Sequence, residues 1–95
     1  MPEGRVAVKL FAGVKATFGR PEVSVECGEG SDLHSVLLTV CDTPARRRAL
    51  FLDSGDLRPE LQVLVNGRNI TFLDGLQTIL KCGDVVAVFP PMYGG

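Results

Sequence analysis

Polar and apolar residues alternate along two segments near the start of the chain, residues 5–11 and residues 22–27. Alternation with a period of two is the pattern of a half-buried β-strand, because successive side chains point to opposite faces of a sheet. We therefore predict two strands that pair as a hairpin. Residues 12–20 form the connection between them, with room for a helical turn.

A helical spacing follows the second strand. Five apolar residues recur three and four positions apart, which places them on one stripe of a helix. They are Leu33, Val36, Leu37, Val40 and Cys41. Ser31 or Asp32 provides the N-cap, and Pro44 interrupts the helix because proline disfavours helical geometry in the residue before it. Residues 45–52 are expected to add a second short helix that packs its adjacent leucine and phenylalanine on the core.

The second half of the chain contains further strand patterns, at residues 61–65, 68–72 and 85–89. Asn66-Gly67 joins the first two of these, because a type I′ turn needs positive φ at both central positions and this dipeptide tolerates it. Residues 73–80 are predicted to be irregular. Three of their apolar side chains are expected in the core: Leu76, Ile79 and Leu80. Asp74 and Asp84 lie in predicted turns, where carboxylates commonly cap backbone N–H groups.

The predicted order is strand, strand, helix, strand, strand, irregular segment, strand. A hairpin, a packed helix and a later strand around one core form an α+β arrangement, with the helix on one face of a mixed sheet. This order matches the ubiquitin-like β-grasp topology, which has four to five strands, one main helix and here a short second helix. Residues 1–89 are predicted to form the domain, and residues 90–95 an extended, flexible C-terminal tail.

Composition and charge narrow the class of protein. The 95 residues are 45% hydrophobic and 22% charged, which is typical of one small folded domain. The formal net charge of -1 gives no general attraction to nucleic acid or to a membrane surface. No apolar stretch approaches the length of a transmembrane helix. We therefore expect no nucleic acid and no membrane as partners, and a cytoplasmic location because no signal peptide is visible.

The cysteines, histidine and arginine run carry little chemical signal. Cys27, Cys41 and Cys82 are widely separated, so we expect three mostly buried thiols in a reducing compartment, and neither a disulfide framework nor a zinc site. His34 is expected to be exposed, with no metal or base role, and the basic run 46–48 is typical of a solvated helix face. Because no nucleophile–base pair, metal cluster or phosphate loop is found, we expect neither an independent enzyme nor a bound cofactor.

The last six residues hold the strongest candidate chemistry: Pro90-Pro91-Met92-Tyr93-Gly94-Gly95. Two prolines favour an extended arm of about 3.1 Å per residue, which reaches roughly 19 Å beyond the sheet. The glycines let the backbone enter a narrow channel and leave the terminal carboxyl unhindered. Adenylation of Gly95 with ATP would let a sulfur nucleophile displace AMP and leave a thiocarboxylate. On two glycines alone, a frayed terminus is the simpler interpretation.

Three segments carry a resemblance to a known family. They are Val8-Lys9-Leu10-Phe11-Ala12, Val65-Asn66-Gly67-Arg68 and the stretch from Gly83 to Gly95. Along essentially its whole length the chain resembles the MoaD-like small sulfur-carrier subunits of molybdopterin synthase. The resemblance implies that Gly94 and Gly95 are the working residues and that an E1-like, MoeB-like enzyme adenylates Gly95 with ATP. It also implies that the thiocarboxylate then donates sulfur to the molybdenum cofactor inside the MoaE-like large subunit.

Strand parity indicates where such partners would bind. Phe11 lies on the same strand face as Lys9, which should be solvated, and Phe89 should lie on the outer face of the last strand. If the first and last strands are neighbours, Phe11 and Phe89 meet on the open sheet face, with Leu64 as a possible third member. Alternatively, both rings fold over the edge of the core. The resemblance favours the interface and adds four tail residues to it: Pro90, Pro91, Met92 and Tyr93.

Other functions stay open at this point. A ubiquitin-like protein modifier would use the same activation but transfer Gly95 to a lysine amine. A sulfur carrier could also serve tRNA thiolation or thiamine synthesis. A plain interaction module would not need Gly95 at all. Residues 44–60 are longer than the corresponding region of the shortest members of the resembled family, so the choice of partner is open as well.

Overall fold

The computed structural model describes residues 4–26 and 30–90. Within these residues a five-stranded mixed sheet has the order β2-β1-β5-β3-β4. The strands are β1 (Arg5–Leu10), β2 (Glu22–Glu26), β3 (Gln62–Val65), β4 (Arg68–Asn69) and β5 (Val85–Phe89). β5 is central, parallel to β1 and antiparallel to β3, while β2 and β4 pair antiparallel at the two edges. The predicted α+β, β-grasp arrangement is confirmed, including the neighbouring first and last strands.

In the described part of the chain, three α-helices connect the strands: α1 (Ala12–Phe18), α2 (Leu33–Val40) and α3 (Pro44–Leu50). The N-cap of α2 is Asp32, whose Oδ1 accepts a hydrogen bond of 2.9 Å from the backbone N–H of Ser35. Thr43 caps α3 through its hydroxyl oxygen, and Pro44 occupies the first turn, where a missing N–H costs nothing. Both predicted helices are therefore confirmed, but Pro44 begins α3 and does not end α2, whose last residue is Val40.

A single core lies between the helices and one face of the sheet. The apolar residues of the alternating pattern on β1, β2, β3 and β5 point into it, as do the predicted stripe of α2 and the end of α3. Its most deeply buried side chains are Val6, Val8, Leu10, Leu33, Leu37, Leu50, Val63, Val86 and Val88. None of the described helices packs on the other face of β1, β5 and β3. The described sheet is therefore buried on one side only.

The connection between β1 and β2 is a helix of two turns, which is more structure than the sequence predicted for residues 12–20. Val14 and Phe18 lie four positions apart and are both buried, so α1 has its own small apolar face. Gly19 ends the helix in the left-handed conformation at φ 76°, and its N–H donates to the Lys15 carbonyl.

The predicted edge strand at residues 68–72 was too long. β4 ends at Asn69, because the Oδ1 of this residue accepts hydrogen bonds of 2.9 Å from both the backbone N–H and the hydroxyl of Thr71. These bonds turn the chain into a single 3₁₀ turn, Ile70–Phe72. A second such turn, Gly75–Gln77, follows directly. Asparagine here competes with the strand ladder by bonding its own neighbours.

The core prediction for residues 73–80 holds for Leu80 and in part for Leu76, but it was wrong for Ile79, which is 58% exposed. The chain is extended here: Leu33 N–H donates to the Thr78 carbonyl, and Leu80 N–H donates to the Ser31 carbonyl. Alternation then points Leu80 inward and Ile79 outward. The cap expected from the Asp74 carboxylate is likewise absent, since this side chain makes no cap hydrogen bond.

Candidate functional site

The start of β5 is fastened to the turn between β3 and β4. Asn66 and Gly67 have φ of 53° and 83°, as a type I′ turn requires. The Asn66 amide donates to Asp84 Oδ1 at 3.0 Å and accepts from Val85 N–H at 2.9 Å, and Asn66 N–H donates to the Val85 carbonyl at 2.8 Å. Asp84 Oδ2 also caps Lys81 N–H, as predicted. Two motifs that are far apart in the sequence therefore form one junction.

The other end of β5 carries an aromatic pair. The rings of Phe11 and Phe89 stack with centroids 4.3 Å apart and planes inclined by 9°. Neither ring belongs to the hydrophobic core or packs against it, and Phe11 is 36% exposed. The prediction that these two side chains meet outside the core is confirmed, which removes the alternative that they fold over its edge.

Further apolar side chains continue from this pair across the open face of the sheet. Strand register places Lys9 beside Ala87 and Ala87 beside Leu64, while Gln62 lies opposite Phe89. Leu64 and Ala87 are half-buried, as expected for side chains that face outward from a central part of the sheet. We call the set formed by Phe11, Phe89, Ala87 and Leu64 the open-face cluster. Its polar border of Lys9 and Gln62 resembles the rim of a protein interface.

The turn out of β1 fixes the position of Phe11. Ala12 has φ of 52°, in the left-handed region, which costs a residue with a Cβ about 1 kcal/mol. Phe11 itself is extended, and its carbonyl accepts hydrogen bonds from the N–H groups of Val14 and Lys15. The chain thus changes direction sharply right after Phe11, and the hydrogen bonds of the first turn of α1 stabilise the new direction.

Residues 8–95 match the model of the ThiS family. The chain belongs to the ThiS family. Among its relatives is small archaeal modifier protein 3 from Haloferax volcanii, which is 30% identical over 93% of this chain and 96% of its own length. The solution structure of small archaeal modifier protein 1 from Methanosarcina acetivorans is 34% identical, with a TM-score of 0.82 and complete coverage of both chains.

A third relative is a protein from Pyrococcus furiosus described as a candidate molybdopterin converting factor, subunit 1. It is 28% identical, with a TM-score of 0.72, and the match covers 94% of this chain and 99% of that one. Together these matches confirm the resemblance seen in the sequence at the level of the family. The family to which the chain belongs consists of small ubiquitin-like sulfur carriers and modifiers with the β-grasp fold.

The structure describes only the first part of the tail of this ThiS-family chain. Pro90 follows Phe89 directly, is half-buried and ends the strand, in accord with its missing ladder donor. The other predicted site residues, Pro91, Met92, Tyr93, Gly94 and Gly95, lie outside the described residues. Their roles stay predictions. The described part shows where β5 ends: Phe89 and Pro90 lie at the edge of the open-face cluster.

The cysteines differ from the prediction of three buried thiols. Cys41 is a free, buried thiol, and burial raises its pKa to about 11, so it is almost entirely protonated at neutral pH. Cys82 takes part in a disulfide bond, which corrects the expectation for that residue. Cys27 lies outside the described residues. Since the thiolate is the reactive form, Cys41 is a poor candidate for carrying sulfur.

The basic run 46–48 is not one uniform solvated face. Arg46 lies over the Phe18 ring at 5.6 Å, donates to the Phe18 carbonyl and pairs with Asp42 at 2.6 Å, so it clamps α1 to α3. Arg47 and Arg48 are exposed, in accord with the prediction. His34 is half-buried and packs edge-on against Phe51, with centroids 5.7 Å apart, so the expected exposure was wrong.

Metal sites and membrane spans are both absent from the described part of the chain. Among residues 4–26 and 30–90, no three histidine, cysteine or acidic side chains lie together in a way that would hold a metal ion. None of the helices there is long and apolar enough to cross a membrane.

Proposed function

We propose that this protein carries sulfur as a thiocarboxylate on Gly95, made by an E1-like, MoeB-like adenylating enzyme and donated in the synthesis of molybdopterin. The observation that supports this most directly is the position of the C-terminal end of β5. The central strand of the sheet leaves the domain at the stacked Phe11 and Phe89 rings, beside an open, apolar sheet face. A partner that docks on this face would receive the tail in a defined direction.

The chemistry needs no catalytic group from the carrier itself. In the partner's active site the Gly95 carboxylate attacks the α-phosphorus of ATP, and pyrophosphate leaves. Hydrosulfide then attacks the carbonyl carbon of the acyl-adenylate, AMP leaves with the bonding electron pair, and a proton is released to solvent. The product is the thiocarboxylate of Gly95. Glycine at positions 94 and 95 lets the backbone lie close to the nucleotide, where a Cβ would clash.

The docking surface that we propose is the open-face cluster, extended by Pro90, Pro91, Met92 and Tyr93. Aromatic side chains at the centre of an apolar patch are the usual sources of binding energy in protein interfaces. The same surface would serve in turn the adenylating enzyme and the MoaE-like large subunit of molybdopterin synthase. Both exchanges are proposed for the cytoplasm, where ATP is available.

The test is the intact mass of the protein after incubation with ATP, an adenylating enzyme of the MoeB type and sulfide. A carrier gains the mass of one sulfur-for-oxygen exchange, located in the C-terminal peptide. The variant that lacks Gly95 is the control and should gain nothing. An unchanged mass of the full chain, in a mixture that converts a known carrier, would contradict the proposal.

A second candidate function is that of a protein modifier joined through Gly95 to lysine amines. The names of the relatives from Haloferax volcanii and Methanosarcina acetivorans support it, since both are called small archaeal modifier proteins. Activation is the same in both functions, and only the acceptor differs. Denaturing gels of cells that express the tagged chain would show high-mass conjugates for a modifier, and these should disappear when Gly95 is deleted.

The choice of molybdopterin over other sulfur-accepting pathways is supported by the sequence resemblance and by the Pyrococcus furiosus relative. It is tested by supplying the thiocarboxylated protein to a MoaE-like subunit with the molybdopterin precursor. Formation of the dithiolene, and loss of sulfur from Gly95, is the expected result. Transfer to a thiamine precursor or to tRNA, with none to the molybdopterin precursor, would assign the carrier to that other pathway.

A further inference from the structure

A groove lies in the helical layer, between α2 and the segment that follows α3. It has a volume of about 320 Å³. The residues that matter for its chemistry are His34, Leu38, Arg47, Arg48, Phe51 and Leu52. Because the helices pack on the buried face of the sheet, this groove faces away from the open-face cluster, and a molecule bound in it would leave that cluster uncovered.

The floor of the groove is apolar. Phe51 is almost fully buried beneath it, with the His34 ring packed edge-on against the Phe51 ring. Leu38 is half-buried beside them, and Leu52 is 37% exposed, so part of its apolar side chain is open to a ligand. Such a floor binds an apolar side chain better than it binds a fully hydrated ion.

The rim of the groove is basic, although the chain as a whole is slightly acidic. Arg47 and Arg48 are exposed, and neither guanidinium forms an ion pair within the described residues, in contrast to Arg46 beside them. Asp53 is the acidic residue of the lining, so the arginines outnumber it. Arginine is one of the residue types enriched in binding hot spots.

We infer that this groove docks an acidic peptide segment of a partner protein, with one large apolar side chain over Phe51 and Leu52 and carboxylates on Arg47 and Arg48. A free phosphate group suits the site less well, because it would leave the apolar floor formed by Phe51 and Leu52 uncovered. A peptide can cover that floor with its apolar side chain and place its carboxylates on the arginine side chains at the rim. The inference does not depend on the activation of Gly95.

The test adds a short capped peptide, in which glutamates flank one phenylalanine, to the ¹⁵N-labelled full chain. NMR spectra recorded during the titration report which amide signals move. The expected result is saturable shifts of the amide signals of His34, Leu38 and Leu52, with the signals of Phe11 and Phe89 unchanged. Absence of shifts in the groove, or shifts confined to the open-face cluster, would overturn the proposal.

Matched variants separate a specific site from general charge attraction. Arg47→Gln with Arg48→Gln removes the two rim charges while keeping good helix formers, and should weaken peptide binding roughly fivefold or more. Leu52→Ala should weaken it as well, since it removes the exposed apolar contact. The control is Lys15→Gln with Lys81→Gln, which removes the same charge from exposed positions outside the groove. An equal loss in the control would show that only net charge matters.

AMP is titrated in the same way as a second probe. If AMP shifts the groove signals, displaces the peptide and binds with higher affinity than the peptide, the site is a nucleotide site and the peptide assignment is wrong. A chain shortened to end at Pro90 should still bind the peptide. This result would show that the groove works independently of the tail.

Discussion

The two ends of β5 are held in different ways. At its start, Asn66 makes three hydrogen bonds to Asp84 and Val85, and a type I′ turn with positive φ at both central residues holds that asparagine in place. At its end, Phe89 is stacked on Phe11 outside the core, and Pro90 stops the ladder. Directional polar bonds fix one end, and an apolar contact on an open surface marks the other.

This difference separates stability from recognition along a single strand. Hydrogen bonds at the start cannot easily be exchanged for a partner's, because they are satisfied within the domain. The stacked rings at the end still have an exposed side that a partner can cover, and covering it gains free energy. Changes at the start should therefore alter folding, while changes at the end should alter binding.

The largest expected effect is on binding, from Phe89→Ala. Truncation of a central aromatic residue in an interface commonly costs about 2–4 kcal/mol, so the affinity for the adenylating enzyme should fall by a large factor. Isothermal titration calorimetry measures it. Phe72→Ala is the matched control, because Phe72 is 81% exposed and lies outside the open-face cluster. Equal losses in the two variants would show that the cluster is not the docking surface.

The next effect is on stability, from Asn66→Ala. The variant loses the side-chain hydrogen bonds and forces a Cβ residue other than asparagine into the left-handed region, so the free energy of unfolding should fall by about 2 kcal/mol. Asn66→Gly keeps the backbone conformation and should lose only about 1 kcal/mol. Urea unfolding followed by circular dichroism gives both values. A drop in partner affinity for folded Asn66→Gly would contradict the separation of roles.

A smaller change tests the support of Phe11 by α1. Gly13 has no positive φ, and beyond the adjacent residues and the backbone of its own helix no atom lies within 4 Å of the point that a Cβ would occupy. Gly13→Ala should therefore stabilise the fold by about 0.5–1 kcal/mol. Gly19→Ala at the end of the same helix should do the opposite, because Gly19 has φ of 76°. The midpoints of thermal unfolding of the two variants should move in opposite directions. Movement in the same direction would refute the conformational explanation.

The smallest effect defines the pH window for these comparisons. Hydrogen bonds from Ser35 lower the pKa of Asp32, and those from Arg46 lower the pKa of Asp42, each below its ordinary value of 3.8. Their stabilising contributions are therefore complete above pH 3.8 and are lost as the pH falls through the lower folded-state values. The melting temperature should decline below that point, and Asp32→Asn with Asp42→Asn should flatten the decline. An unchanged acid slope would mean that other carboxylates dominate it.

The sequence predicts those parts of the molecule whose signals are local. Alternation predicts β1 and β2, the apolar stripe predicts α2, and Asn66-Gly67 predicts its turn, because each pattern is tied to a backbone geometry with a fixed period or a fixed φ. The meeting of Phe11 and Phe89 was also predictable, since parity and the neighbouring positions of the first and last strands suffice. The family resemblance then suggested what such a pair is for.

The parts that failed depend on contacts between distant segments. Ile79 points outward because Leu80 bonds to Ser31, and nothing in the composition of residues 73–80 reveals that pairing. Arg46 differs from its two neighbours because the Phe18 carbonyl, 28 positions earlier, lies within its reach. The basic groove was missed for the same reason: His34 and Leu52 belong to separate elements, and only the fold brings them to one surface.

The central place of β5 has a consequence for the making of the protein. Until Val85–Phe89 has been synthesised, β1 and β3 have no strand between them, and the core lacks Val86 and Val88. A nascent chain that stalls earlier presents unpaired strand edges and exposed valines, which quality-control proteases and chaperones recognise. A chain that ends before β5 should therefore not form a stable domain that competes with the full protein for its partners.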